Sequence, residues 1–188
     1  MVEVELKFEI TKAEIDSLIK KIMAMGFILG ESKYEKTVMY DNPGSLMQIS
    51  DGRVRLRKIG KETEFSYKKP ITRNGIKREI EYEVTTSNFD TTEKILKNMD
   101  FLPVSSYERY RTTGYNRDNT VKVTLDEFPF ANFVEIEGEE KEILKLADKL
   151  DLNRGKNITK SCDTLFQEWR KRKGLPFAPH MLFDGFDK

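Results

Sequence analysis

Carboxylate and basic side chains recur at every second position in many segments of this sequence. In the first segment, Val2–Ile10, the charged residues Glu3, Glu5, Lys7 and Glu9 alternate with apolar ones. Successive side chains of a β-strand point to opposite faces, so this pattern predicts a strand with one apolar and one charged face. Similar rows follow: Arg53, Arg55 and Arg57; Glu64, Ser66 and Lys68; Lys77, Glu79, Glu81 and Glu83; Arg109 and Arg111; Lys122, Thr124 and Asp126; Glu135 and Glu137. Such a row either binds ions or meets water, and one strand alone favours water.

Other reactive residue types are scarce. The chain has a single histidine, His180, and a single cysteine, Cys162. A zinc site of the usual His/Cys type therefore lacks ligands, and a Ser-His-Asp or Cys-His arrangement would depend on His180 in a Pro-rich tail. The sequence also has neither of the common glycine-rich phosphate loops. Any chemistry must then come from carboxylates, lysines and arginines.

Length and charge set further bounds. A chain of 188 residues can build one sizeable domain or two small ones. Lys and Arg number 33 against 32 for Asp and Glu, a net charge of +1, which argues against a binder of nucleic acids or anionic membranes. No apolar run of about 18 residues could span a membrane, and the acidic start of the chain is unlike a secretory signal. With one cysteine and no internal disulfide, we expect a cytoplasmic protein.

Turn and capping signals divide the chain into strands and helices. Strands are predicted at residues 2–10, 34–41, 53–59, 63–69, 77–84, 106–114, 120–127 and 133–138. Helices are predicted between the capping box at Thr11 and Gly26, and at residues 91–100, 139–150 and 161–173. An Asn74-Gly75 turn separates two units of the same order: strand, helix and three strands. The similarity of Glu3-Val4-Glu5 to Glu79-Ile80-Glu81 favours a duplication, although so short a match can arise by chance.

The charges are sorted by strand, with acids on some strands and bases on others. An open sheet would leave these rows in water, where both signs are usually mixed. An antiparallel sheet of about eight strands can instead close into a barrel, which removes its edges and turns one face inward. We therefore expect an α+β fold: a closed eight-stranded antiparallel β-barrel with helices packed outside, built as two β-α-β-β-β halves. The domain would span residues 1–173, and an apolar tail, 174–188, would pack on it or at the contact of a homodimer.

Charged side chains that face inward need ionic partners. The basic rows offer forks and point charges suited to several phosphate groups: Arg53, Arg55, Lys68, Arg109 and Arg111. The acidic rows offer hard oxygen ligands suited to Mg²⁺ or Mn²⁺: Glu3, Glu5, Asp126, Glu135 and Glu137. A linear triphosphate with a divalent metal needs both sets and would fit a narrow tunnel.

The order of these residues resembles that of the CYTH, or triphosphate tunnel metalloenzyme, superfamily, over roughly residues 1–170. The motif Glu3-x-Glu5-x-Lys7 is similar to the signature of that superfamily, and the matches continue through Arg53-x-Arg55, Lys68, Glu79-x-Glu81, Arg109-Tyr110-Arg111, Asp126 and Glu135-x-Glu137. Residues 40–43, 65–70, 124–127 and 133–137 look most like the class IV adenylyl cyclase branch. Arg109 stands where a lysine is common, and Phe130-Ala131-Asn132 replaces a usual Leu-Gly pair, but neither departure removes a charge from the tunnel.

The resemblance implies a role for each charged row. Lys7 would help to hold the triphosphate and would orient or deprotonate the nucleophile. Mg²⁺ or Mn²⁺ would be held by Glu3, Glu5, Asp126, Glu135 and Glu137. The substrate would be bound by Arg53, Arg55, Lys68, Arg109, Arg111, Lys122 and Glu81.

The resemblance also implies an enzyme that acts on a triphosphate. If a ribose 3′-hydroxyl attacks the α-phosphorus of ATP, the products are cyclic AMP and pyrophosphate, and this adenylyl cyclase reaction is the one we expect. If water attacks the terminal phosphorus of tripolyphosphate or thiamine triphosphate, the enzyme is a triphosphatase that releases orthophosphate. A non-catalytic polyphosphate- or nucleotide-binding module is a third alternative, against which the carboxylates argue. We expect no membrane or nucleic-acid partner.

Overall fold

The computed structural model describes residues 2–72 and 75–184, so the predicted Asn74-Gly75 turn lies partly outside the described residues. The strands are β1 (Val2–Ile10), β2 (Ile28–Leu29), β3 (Lys33–Asp41), β4 (Arg53–Ile59), β5 (Glu62–Thr72), β6 (Lys77–Thr86), β7 (Leu102–Tyr115), β8 (Val121–Glu127), β9 (Asn132–Gly138) and β10 (His180–Met181). The α-helices are α1 (Lys12–Ala24), α2 (Leu46–Ile49), α3 (Phe89–Asn98), α4 (Glu140–Lys149) and α5 (Cys162–Arg172), and a 3₁₀ turn spans Arg154–Lys156. No helix within the described ranges has the length and apolar character needed to cross a membrane.

The eight long strands of the described residues form one closed barrel. Around it the order is β7-β3-β4-β5-β6-β1-β9-β8, and β8 pairs again with β7. Each of these pairs is antiparallel. Closure gives the outermost strands partners, which removes the exposed edges of an open sheet. The predicted eight-stranded antiparallel barrel is confirmed.

The order of elements repeats between the two halves of the barrel. The first half is β1-α1-β3-β4-β5, interrupted by the short β2 and α2, and the second half is β6-α3-β7-β8-β9. Strand pairing follows the repeat. Equivalent strands of the two halves pair with each other, β1 with β6 and β3 with β7. The last strand of each half pairs with the first strand of the other, β5 with β6 and β9 with β1. The predicted β-α-β-β-β halves are confirmed, and their origin by duplication stays a prediction.

Local sequence signals set the ends of several elements. Glu14 accepts a hydrogen bond from the backbone N–H of Thr11 at 2.7 Å, which completes the capping box of α1. Helix α3 begins earlier than predicted because the Asn88 side chain accepts from the N–H of Thr91 and caps it. Strand β7 also begins earlier than predicted. A proline usually marks the end of a strand, but Pro103 lies within β7, at a register shift in the pairing with β3.

Helices cover the apolar face of the barrel from outside. The largest cluster joins α1 and α4 to three strands through Leu6, Phe8, Leu18, Ile22, Val123, Leu125, Val134, Ile136, Ile143, Leu146 and Ala147. Burying each large apolar side chain contributes about 1.5–3 kcal/mol, so this packing holds the charged face inward. The tail also packs on the barrel, since β10 pairs with β7 and Met181 is 1% exposed. The domain boundary at residue 173 and the homodimer stay predictions.

Candidate active site

A cavity of about 440 Å³ lies inside the barrel, and we call it the tunnel. Every predicted site residue except Asp126 lines it: Glu3, Glu5, Lys7, Arg53, Arg55, Lys68, Glu81, Arg109, Arg111, Lys122, Glu135 and Glu137. Strand alternation directs them there. On β1, for example, Leu6 and Phe8 pack in the outer core, while Glu5 and Lys7, which alternate with them, face the tunnel. The charged rows therefore share one interior.

Three glutamates on adjacent strands come together in what we call the carboxylate cluster: Glu3 and Glu5 on β1 and Glu79 on β6. Glu3 and Glu79 are direct partners in the antiparallel pairing. One carboxylate oxygen from each of the three lies within 4.8 Å of the other two. Carboxylates this close repel one another unless a cation lies between them, and hard oxygen ligands of this kind suit Mg²⁺ or Mn²⁺.

Four basic side chains balance the charge of the carboxylate cluster: Lys7, Arg53, Lys68 and Lys77. Lys68 donates to Glu3 at 2.8 Å, and Lys77 Nζ donates to Glu5 Oε2 at 3.1 Å. Lys77 Nζ also lies 2.9 Å from Glu79 Oε2, without hydrogen-bond geometry. Among the described residues, the buried oxygens Glu5 Oε1 and Glu79 Oε2 accept no hydrogen bond. Both oxygens lie against ammonium groups instead, 3.3 Å from Lys7 Nζ and 2.9 Å from Lys77 Nζ, so a divalent metal at this cluster of hard oxygen ligands would take the place of those lysines.

The other predicted metal ligands lie on β8 and β9. Asp126 is 1% exposed and accepts hydrogen bonds from Arg109 at 3.2 Å and from Arg111 at 2.5 Å. Its contacts orient these two arginines from below the tunnel surface. Glu135 accepts from Arg111 at 2.6 Å and lies 2.9 Å from Lys7 Nζ. The metal roles of Asp126 and Glu135 stay predictions.

Glu137 adjoins the carboxylate cluster. It faces Glu5 in the pairing of β1 with β9, and its carboxyl shares a hydrogen bond with Glu3. Burial raises the pKa of Glu137 to about 7, because the charges of Glu3 and Glu5 add to it and Lys122 only partly offsets it. For Glu3, burial acts in the same direction, but Lys68 outweighs it and lowers the pKa. Because the pKa of Glu137 is raised, a divalent cation bound here would compete with a proton for this carboxyl.

The predicted phosphate-binding side chains all have carboxylate partners. Such pairing keeps a buried interior close to neutral, since an unpaired charge there is costly. The pairs are Arg53–Glu79, Arg55–Glu81, Lys68–Glu3, Arg109–Glu35, Arg111–Asp126 and Lys122–Glu137. When a phosphate enters, the guanidinium and ammonium groups could bind it instead of the carboxylates. A metal ion would then bind the carboxylates that these groups had left.

Lys7 is 3% exposed, and its ammonium lies 3.3 Å from Glu5 Oε1 and 2.9 Å from Glu135 Oε1. Its backbone N–H donates to Asn157 at 2.8 Å, so the segment before α5 fixes this part of β1. Burial alone would lower the pKa of Lys7, but Cys162, Glu135 and Glu5 outweigh burial and raise it well above its usual value. An ammonium can donate hydrogen bonds to a phosphate. The orienting role predicted for Lys7 therefore fits better than proton abstraction.

The tunnel lining includes further residues that sequence reasoning did not assign, among them Glu35, Arg57, Lys77, Glu79 and Tyr107. Arg57, Lys77 and Glu79 belong to rows that the alternation had already marked, so including every member of each row would have found them. Glu35 gave no such signal, because the residues of β3 do not alternate between charged and apolar. Tyr107 was missed because an aromatic residue counts as apolar in the alternation, although its hydroxyl is polar.

Comparisons with known proteins agree with this fold. A solved structure of a candidate adenylate cyclase from Vibrio parahaemolyticus has a TM-score of 0.78 at 18% identity, covering 89% of this chain and 98% of that one. The PH1819 protein from Pyrococcus horikoshii OT3 has a TM-score of 0.66 at 25% identity, covering 88% and 98%. HpAC1 from Hippeastrum, a candidate adenylyl cyclase described as having a dominant triphosphatase activity, has a TM-score of 0.63 at 13% identity, covering 93% and 97%.

A search of curated proteins found no match. The family model of the CYTH domain matches residues 1–161, which include every residue of the carboxylate cluster and all of the basic rows. The match ends just before α5, whose first residues Cys162 and Asp163 also line the tunnel. The chain belongs to the CYTH domain family.

Proposed function

We propose that this protein is a metal-dependent enzyme that cleaves a linear triphosphate inside its tunnel and releases orthophosphate. The observation that carries the proposal is the carboxylate cluster, which lies beside rows of guanidinium and ammonium groups in one cavity. Pure anion binding would need the bases alone. Carboxylates that face the same cavity are useful when a divalent cation binds with the phosphates.

The division of labour follows from the charges. Bound Mg²⁺ or Mn²⁺ would supply charge neutralisation for the phosphate oxygens and would lower the pKa of an attacking water. Arg53, Arg55 and Arg111 would orient the triphosphate through paired N–H donors. Lys7 would donate to the phosphoryl oxygens, because its raised pKa keeps it charged. Burial excludes bulk water and strengthens each of these interactions.

The tunnel lining favours hydrolysis of an inorganic triphosphate over cyclisation of ATP. Within the described residues, the apolar or aromatic side chains that line it are Met39, Ile59, Tyr107, Tyr115 and Cys162, among many charged groups. A nucleobase site usually offers a larger apolar or stacking surface. A cyclase must also hold the ribose so that its 3′-hydroxyl meets the α-phosphorus, and this requires an anchored base.

The adenylyl cyclase reaction is the second candidate, because residues 40–43 and 65–70 resemble the class IV branch. Part of that resemblance has a structural explanation. Asp41 accepts hydrogen bonds from the N–H groups of Met47 at 2.8 Å and Gln48 at 3.1 Å, and the Tyr40 hydroxyl donates to Glu93 at 3.0 Å. These contacts fix α2 and α3 outside the tunnel, so the first of these segments contributes no substrate contact.

Product analysis tests the proposal. The protein is incubated with Mg²⁺ or Mn²⁺ and, separately, with tripolyphosphate, thiamine triphosphate and ATP, and the products are resolved by ion chromatography. We expect tripolyphosphate to give orthophosphate and pyrophosphate, with no reaction in EDTA. Glu5→Gln should abolish turnover, and Glu9→Gln, an exposed residue of the same strand, should not. Cyclic AMP from ATP without orthophosphate from tripolyphosphate would establish the cyclase instead, and metal-independent binding without turnover would indicate a binding module.

A further inference from the structure

Tyr107 is an inward-facing aromatic residue of β7, two positions before Arg109 on the same face of the strand. It is 7% exposed, and its ring packs against Phe128 with 5.8 Å between the ring centroids. Tyr107 lines the tunnel, and within the described residues its hydroxyl makes no hydrogen bond. A buried tyrosine usually finds a partner for its hydroxyl, so this group is free to bind something that enters the tunnel.

The surroundings of the Tyr107 hydroxyl are strongly basic. Tyr107 faces Thr37 in the pairing of β7 with β3, and Thr37 faces Arg57 in the pairing of β3 with β4. Because Thr37 is short, the longer side chains on either side can approach each other above it. Burial raises the pKa of Tyr107, but Arg57, Arg55 and Arg109 outweigh burial and lower it to about 8. All three arginines line the tunnel together with Tyr107.

A second donor at this place is also unused. Arg57 Nε is buried and has no hydrogen-bond partner among the described residues, and its nearest carboxylate oxygen, on Glu35, lies 3.6 Å away. Two acids of the tunnel are hydrogen-bonded to arginines: Glu35 accepts from Arg109 at 2.7 Å, and Glu64 accepts from Arg57 at 3.2 Å. Asp163, at the first turn of α5, is the acid whose charge opposes the lowered pKa of Tyr107.

We propose that the Tyr107 hydroxyl is a substrate-binding group that donates a hydrogen bond to one phosphoryl group, beside Arg55, Arg57 and Arg109. This inference rests on the proposed function, because it takes a phosphate chain as the ligand. A neutral O–H donor adds a hydrogen bond without adding another positive charge to a crowded basic region. The contact of the ring with Phe128 fixes its direction, so the donor is ready before the anion arrives.

Tyr107→Phe tests the inference, because it removes only the hydroxyl and retains the ring that contacts Phe128. Binding of tripolyphosphate is measured by calorimetry in EDTA, so that no turnover interferes. We expect the dissociation constant to rise by about tenfold or more, as for a lost hydrogen bond to a charged acceptor. Tyr110→Phe is the matched control: it lies on the same strand but on the outer face, where its ring contacts Tyr34 and Phe183. That variant should bind as the wild type does.

Tyrosinate absorbance gives a readout that a merely structural role would not move. In the free wild-type protein, one tyrosine should ionise near pH 8, and this step should be missing in Tyr107→Phe. Added tripolyphosphate should move the step to higher pH, because a bound anion disfavours the phenolate. The Tyr110→Phe variant should retain both the step and its shift.

The possible outcomes separate this inference from the proposed function. Wild-type affinity in Tyr107→Phe, or a tyrosine titration that tripolyphosphate does not move, would overturn the role of Tyr107 and leave the proposed function intact. Weakened binding in Tyr107→Phe together with no metal-dependent turnover by the wild type would support the role of Tyr107 and overturn the proposed function. A wild-type protein that binds tripolyphosphate neither in EDTA nor with Mg²⁺ would overturn both.

Discussion

Replacing Glu79 by Gln should strongly weaken metal binding while leaving the barrel folded. The Glu79 side chain is 2% exposed and contacts Arg53 and, at 2.9 Å, Lys77. Glutamine retains the size and a carbonyl acceptor but removes the negative charge. Because Glu79 contributes one of the three carboxylates in the cluster, the change acts on the site itself rather than on its supports.

The cost in stability should be moderate. A hydrogen bond to a charged group contributes about 1.5–3 kcal/mol, and removing one partner of a buried ion pair costs about 3–5 kcal/mol. Lys77 retains Glu5 at 3.1 Å as a partner. We therefore expect Glu79→Gln to lower the free energy of unfolding by about 3 kcal/mol, at the lower end of the range for a buried ion pair.

Glu79→Gln should also weaken the binding of metal. Groups that only support a metal ligand change the affinity by about 10–100-fold. Loss of a carboxylate from the cluster should therefore weaken Mn²⁺ binding by at least about 100-fold, or about 2.7 kcal/mol.

Electron paramagnetic resonance of free Mn²⁺ measures this affinity directly, and thermal unfolding with and without Mn²⁺ checks the fold. Glu83→Gln is the matched control, since Glu83 lies on the same inward face of β6 but is 39% exposed in its side chain and contacts Arg55. Bound metal should raise the melting temperature of the wild type and of Glu83→Gln but not of Glu79→Gln. A folded Glu79→Gln variant with wild-type Mn²⁺ affinity would refute the assignment of the metal to the carboxylate cluster.

Three further predictions follow from the same structure. Lys7→Met should lower kcat for tripolyphosphate by about 100-fold or more through loss of a buried donor, and unchanged turnover in a coupled phosphate assay would exclude Lys7 from the reaction. Although burial opposes it, the charges of Arg109 and Arg57 lower the pKa of Glu35 from 4.5 to about 2, which corresponds to about 3 kcal/mol. This stability is present above pH 4.5 and is lost as the pH falls toward 2, so urea unfolding should show a gap between wild type and Glu35→Gln that narrows over that interval; a constant gap would contradict it. Gly138→Ala should lower the free energy of unfolding by about 2–4 kcal/mol, because φ is +153° and the new Cβ would lie 2.7 Å from a backbone oxygen. Gly60→Ala, with open space around it, should lower it by about 1 kcal/mol. Equal midpoints of urea unfolding for the two variants would contradict this.

The barrel could be predicted because its determinants are local. Alternation along β1 puts Leu6 and Phe8 on one face and Glu5 and Lys7 on the other, and a one-residue slip would exchange the two faces. The sorting of signs by strand then made an interior lined by charge more plausible than a wet sheet. The same periodicity identified the rows of bases and acids that line the tunnel.

Contacts between strands that are distant in sequence could not be predicted in this way. The carboxylate cluster depends on the pairing of Glu3 with Glu79, which is a property of register and not of either strand. Asp126 alternates correctly, yet Arg109 and Arg111 cover it, because long side chains from the neighbouring strand reach over the shorter one. The sequence pattern also carries no information on ionisation. The raised pKa of Glu137 arises from burial together with Glu3, Glu5 and Glu135, and that of Lys7 from Cys162, Glu135 and Glu5, all of which the folded barrel brings together.

The most direct test of metal and triphosphate binding in the tunnel is an anomalous difference map from crystals grown with Mn²⁺ and tripolyphosphate. We predict a manganese peak within coordination distance of carboxylate oxygens from Glu3, Glu5 and Glu79, with phosphate density between it and the guanidiniums of Arg55 and Arg109. A manganese peak only outside the tunnel, or triphosphate density in the tunnel without manganese at the carboxylate cluster, would contradict a metal-dependent enzyme built on these residues.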